Sequence, residues 1–154
     1  RQKQDTLHFI KKAEKDTLAV YKYPEGTLVD LNEADTTELK KIPGIGSGIA
    51  RMIVAYRKRL GGFYDMAQLK EVNYVDEDML RWFKLGNAPI HRINANKAGL
   101  DKLRSHPYMN FYQAKVIIEY RRKKGKLKSL SQLSLYEEFT EKDLERLSHY
   151  LAFD

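Results

Sequence analysis

The chain has no cysteine, which excludes a disulfide framework and any thiolate metal site and leaves the redox compartment open. It also has no apolar run near the roughly 18 residues needed to cross a bilayer, so this stretch is expected to make no membrane contact of its own. No signal peptide is visible, although the chain starts at Arg1 and not at methionine, which leaves a leader, anchor or upstream domain open. The histidines are few and scattered, at His8, His91, His106 and His149, with no metal-ligand spacing; surface or capping roles are expected for them. No serine, histidine and acid set is readable as a nucleophilic site, so no catalytic residue is assigned and the chain is not expected to be an enzyme. What it has in excess is positive charge. Lysine and arginine number 28 against 21 aspartates and glutamates, a net +7 over 154 residues, which leans toward a polyanionic partner.

The chain is a repeat. Shifted by 64 residues, it aligns with itself without a gap: Asn32, Leu39, Pro43, Ala50, Ile53, Tyr56, Arg57, Gly61 and Gln68 fall on Asn96, Leu103, Pro107, Ala114, Ile117, Tyr120, Arg121, Gly125 and Gln132. Each repeat reads as four short helices. In the first, Asp35 or Thr36 caps a helix through Ile42, and a longer one follows from Ser47 to about Arg59. Gly61-Gly62 stops it, and two more run over about 65–71 and 76–84. The second repeat predicts helices near 99–106, 111–124, 129–135 and 140–150. Asp76, Glu77 and Asp78 look like an acidic cluster, but a helix N-terminus explains them, since its dipole favours negative charge. The expected organisation is an N-terminal extension over 1–28 (a polar helix, then extended chain), a first unit over 29–85, a linker over 86–92, and a second unit over 93–154. The fold class is all-α.

Within the first repeat, Pro43-Gly44-Ile45-Gly46-Ser47-Gly48 joins two amphipathic helices by a glycine hairpin. Gly44 can take the positive φ that ends a helix, at little cost without a Cβ. Ile45 is the hairpin's apolar plug. Gly46 leaves bare backbone at the start of the next helix, where free N–H groups and the helix dipole favour an anion. Lys40, Lys41 and Arg51 stand within a turn or two, and Lys58 lies further along the same helix. Backbone amides and cations in this arrangement can hold a phosphate without reading a base.

The stretch LNEADTTELKKIPGIGSGIARMIVAYRKRLGGFYDMAQLKEV, residues 31–72, resembles the helix-hairpin-helix domain of ComEA-type competence proteins. Asn32 and Ala34 at the first helix, Pro43 to Gly46, and IVAYR followed by Gly61-Gly62-Phe63 carry the likeness. The resemblance implies paired-hairpin units of the SAM/RuvA-like helical type, here two in tandem. It also implies double-stranded DNA bound without sequence preference, a role in DNA uptake, and an exported or membrane-anchored location. A monovalent cation held by hairpin carbonyls over residues 42–46 is compatible with such a motif, though nothing in the sequence demands a cofactor.

The chain departs from that pattern at three of its four hairpins. Asn73-Tyr74-Val75, Pro107-Tyr108-Met109-Asn110 and Tyr136-Glu137-Glu138-Phe139 have lost the glycines. Asn110 still tolerates a left-handed conformation, whereas Tyr108 puts a ring where a phosphate would approach, and Glu137 and Glu138 would repel one. Charge is uneven as well: residues 92–128 sum to +9, residues 129–154 to −4, and residues 29–60 to only +2. The densest cations, Lys115, Arg121, Arg122, Lys123 and Lys124, therefore stand apart from the best hairpin. They read either as long-range attraction for DNA or as a solvated helix end whose cations complement the dipole. Three functional readings stay open: a nonspecific DNA binder, a scaffold whose degenerate hairpins contact protein partners, and an accessory part of a larger repair or nuclease protein.

Overall fold

The computed structural model describes residues 21–154, so the helix expected over residues 2–20 lies outside the described residues. The chain forms two compact units. The first takes the chain as far as Val54 and then Met66–Gly86; the second takes Ala55–Asp65 and Asn87–Asp154. This differs from the division at 85 and 93, because residues 55–65 find their partners in the second unit. The helix ending at Gly61-Gly62 frees its last carbonyls. Leu60 O meets His106 Nε2 at 2.7 Å, Gly61 O accepts from the His91 N–H at 2.8 Å, and Gly62 O accepts from the Tyr150 hydroxyl at 2.6 Å.

In the first unit, β1 (Val29–Asp30) leads to α1 (Thr36–Leu39) and α2 (Ser47–Leu60), the last residues of which belong to the second unit. Two 3-10 helices, Met66–Glu71 and Glu77–Trp82, then lead into β2 (Phe83–Lys84). The second unit contains β3 (Ile93–Asn94), α3 (Leu100–Arg104), α4 (Phe111–Lys124), a 3-10 helix Leu130–Leu133, α5 (Glu141–Leu147) and β4 (Leu151–Ala152). The architecture is predominantly helical, as expected, but not purely so. Each unit is closed by a parallel pair of two-residue strands, Val29 opposite Phe83 and Ile93 opposite Leu151. Strands this short carry no period of two for a sequence to display.

Each unit contains two hairpins built alike. A leucine, fully buried in all four cases, accepts through its carbonyl from the N–H three residues on, and that residue accepts from the next third residue. The series runs Leu39-Ile42-Ile45, Leu69-Val72-Val75, Leu103-His106-Met109 and Leu133-Tyr136-Phe139, with the eight bonds between 3.0 and 3.3 Å. The last member of each series is buried too. The hydrogen-bond ladder thus survives where the glycines do not, while the positive φ of Gly44 recurs only at Tyr74 (φ 70°) and not at Tyr108 or Glu138. A buried leucine at the start and a buried apolar side chain at the end frame each turn, and each such side chain contributes about 1.5–3 kcal/mol when fully removed from water.

Candidate nucleic-acid interface

At the first hairpin, Gly44 has φ +89°, the left-handed conformation its lack of a Cβ permits. Gly46 stands at the N-cap of α2, its carbonyl accepting from the Ala50 N–H at 3.0 Å. A Cβ added at Gly46 or Gly48 would meet nothing within 4 Å. No internal clash therefore calls for glycine at those two positions. Their effect is to leave the amide end of a 14-residue helix open to whatever approaches from outside.

The other three hairpins close that end with a side chain. Asp76 Oδ1 accepts from the Met79 N–H at 3.1 Å, Asn110 Oδ1 from the Gln113 N–H at 2.8 Å, and Thr140 Oγ1 from the Asp143 N–H at 3.1 Å. At Asn110 and Thr140 the cap is reciprocal, with the side chain at the third helical position accepting from the capping residue's own N–H. Position for position, then, the series Gly46, Asp76, Asn110, Thr140 has one member with no capping atom. That amide end alone among the four receives no side-chain acceptor from its N-cap residue.

The cations proposed around the first hairpin are available. Lys40 and Lys41 are half-buried and Arg51 and Lys58 exposed, and none has an ion-pair partner among the described residues. Lys41 Nζ lies 5.8 Å from the Tyr23 ring. Ser47 and Gly48 are exposed, whereas Ile45 is 1% exposed and offers a ligand nothing but backbone. Lys58 belongs to the second unit.

Four readings of the second repeat need correction. Asn110 is extended, φ −97° and ψ 173°, not left-handed, and the capping box consumes its amide N–H and side-chain oxygen. Tyr108 does not block an approaching anion: it is 8% exposed, and the Arg146 guanidinium lies 3.5 Å from its ring centroid. His106 is neither surface nor cap but 2% exposed. Arg121 turns inward, donating to Ala95 O at 2.9 Å and Ala98 O at 2.7 Å. We expect Arg121→Gln to lower unfolding stability by about 1.5 kcal/mol, the low end for hydrogen bonds from a charged group, while leaving affinity for any polyanion within twofold. Urea unfolding and a binding titration check both halves.

Of the remaining cluster, Lys115, Arg122 and Lys123 are exposed and unpaired among the described residues. Lys124 is ordered by two rings, 5.5 Å from Tyr120 and 5.8 Å from Tyr136. No group of three or more metal-ligating side chains occurs among the described residues. Nor is any described helix long and apolar enough to cross a membrane.

Comparison with known proteins agrees with this architecture. Residues 25–82 and 89–152 each match the family model described as a helix-hairpin-helix motif, so the chain belongs to that family. Family membership and the uncapped hairpin both point to DNA binding. The chain is 27% identical over 154 residues to endonuclease/exonuclease/phosphatase family domain-containing protein 1 of Mus musculus, and 25% identical over 146 residues to that of Xenopus laevis. The protein of that name from Danio rerio is 28% identical over 127 residues. The first two alignments cover 79% of this chain and the third 68%, but the chain spans only about a quarter of the length of these relatives (27%, 26% and 23%). No solved structure matches it significantly.

Proposed function

We propose that this chain is a non-catalytic DNA-holding module that grips double-stranded DNA by its backbone, without sequence preference, at the first hairpin. One observation carries the reading: of four hairpins with the same ladder of hydrogen bonds three residues apart, only that at Gly46 has an N-cap residue with no side-chain acceptor for its helix amides. The Ser47 and Gly48 amides hold one phosphate. Lys40, Lys41 and Arg51 contact those beside it, and Lys58, Lys115, Arg122 and Lys123 add attraction from the second unit. The other three hairpins serve as structure.

The name of the relatives favours a setting inside a larger nuclease-like protein, with this module holding the duplex and another part acting on it. The likeness to competence proteins supports DNA uptake as the other setting, at the cell surface or outside it.

The test is a titration of two unrelated 30-base-pair duplexes across a salt series. Equal affinities are expected, with log K falling against log salt by about 3 per decade if Lys40, Lys41 and Arg51 each release one counterion. No binding at ~50 mM salt, where such contacts are strongest, would favour a protein-contact scaffold instead. A strong preference for one duplex would exclude backbone recognition.

A further inference from the structure

A residue outside both repeats reaches into the first hairpin. Lys22 Nζ lies 2.5 Å from Lys40 O, 3.3 Å from Ile45 O and 3.5 Å from Ile42 O. Three backbone carbonyls, from both sides of the hairpin turn, thus converge on one ammonium. Carbonyl oxygens grouped this way are ligands for a hard cation, and a lysine ammonium is a compact point charge with three donors to offer them.

The neighbouring residue holds the lysine in place. The Tyr23 N–H donates to Lys41 O at 2.7 Å, and the Tyr23 ring faces the Lys41 ammonium. Lys40, Lys41, Ile42 and Ile45 therefore all direct their carbonyls to residues 22 and 23. A free monovalent cation over residues 42–46 does not fit beside this group, since it would need the same oxygens and would meet a like charge within them. On the opposite polarity of the same turn, the uncapped amides of α2 await an anion. Fixing the carbonyls fixes the peptide planes of the turn, and with them the direction of those amides.

We propose that the Lys22 ammonium is a tethered cation that replaces a free monovalent ion at the first hairpin and keeps its amides set for phosphate. The coupling to DNA rests on the function proposed above; the occupancy of the carbonyl site does not. At a given ionic strength, a chain carrying its own cation is indifferent to which monovalent cation surrounds it. A chain without it must recruit one.

The experiment compares the wild type with Lys22→Met, which keeps the apolar stem and removes the charge. Each is titrated with a 30-base-pair duplex in potassium chloride and in tetramethylammonium chloride at equal ionic strength, the second cation being too bulky to enter a carbonyl cluster. Wild-type affinities should agree within twofold. Lys22→Met should bind at least about fivefold more tightly in potassium than in tetramethylammonium, the low end of coupling between two linked sites. Lys41→Met, which removes a charge of equal sign nearby, should be weakened alike in both salts. Thermal unfolding without DNA gives a second reading, in which potassium raises the Tm of Lys22→Met and not that of the wild type. If the wild type binds no duplex, the functional reading falls and the Tm pair alone decides whether the lysine fills an ion site. A Lys22→Met protein with no preference for potassium, in DNA affinity or, absent binding, in Tm, overturns the proposal.

Discussion

Gly46→Asp is expected to lower affinity for duplex DNA by at least about tenfold, the effect of losing one hydrogen bond to a charged group, with no loss of stability. The two effects have one cause. At the matching position of the next hairpin, Asp76 accepts from the Met79 N–H, so the backbone there already shows what an aspartate does. Transferred to position 46, the carboxylate meets open space and can turn onto the amides of α2. It should stabilise the helix by a few tenths of a kcal/mol, the ordinary difference between aspartate and glycine at an N-cap. It would also fill the anion site with its own negative charge and repel a phosphate from it. A mobility shift with random duplex reads the first effect and urea unfolding the second. Gly46→Ala separates the causes: it adds a Cβ without a charge or an acceptor, so it should cost less affinity than aspartate does. Equal binding by Gly46→Asp and the wild type would remove the hairpin from the interface.

Much of this was legible before any coordinates. The 64-residue shift locates both units because packing acts on patterns. Leu39 and Leu103 fill equivalent positions, and so do Asn32 and Asn96, whatever lies between them. The first hairpin was legible because Gly44 and Gly46 fall between two stretches of helical period. The repeat was less informative about which side chains stay free. Arg121 counts as a cation in any charge sum, yet two carbonyls claim it. Asn110 has the composition of a left-handed residue, but a glutamine three positions on makes it a cap. That signal, a polar residue followed at the third place by Gln113 or Asp143, was present in the sequence and would have identified two of the three closed hairpins. The spacing of leucine and two further apolar residues by threes was present as well, and would have shown that His106 points inward. Lys22 had no such signal. It precedes the repeat, and only the fold brings it to carbonyls some 20 positions away. The boundary inside α2 was equally hidden, since the period of a helix is blind to which unit receives its far end.

His106 yields a pH effect of comparable size. It occupies the hairpin position filled elsewhere by Ile42, Val72 and Tyr136, and like the first two it is buried. Both ring nitrogens are engaged: Nδ1 accepts from the Tyr108 N–H at 3.0 Å, and Nε2 faces Leu60 O at 2.7 Å. The network assigns the neutral tautomer with its proton on Nε2. A second proton would set an N–H at Nδ1 against the Tyr108 N–H. Burial is the largest influence on the ring and lowers its pKa; the bond to Leu60 opposes this, and the Arg59 and Arg146 charges reinforce it, so the value falls from 6.5 to about 4. The sign follows directly. The fold favours the neutral form, so its contribution is complete above pH 6.5 and is lost as the pH falls toward 4, because the unfolded chain gains a proton that the folded one refuses. At about 1.4 kcal/mol per pH unit, the loss across that window reaches about 3 kcal/mol. His106→Leu should be less stable at pH 7, since it orphans the Tyr108 N–H and Leu60 O, yet it should shed most of this pH dependence. Urea unfolding of both proteins at pH 7 and 4.5 isolates the effect, because the two proteins differ in this ring alone. Parallel losses in the two proteins would mean that the His106 ring takes up its proton without leaving the core.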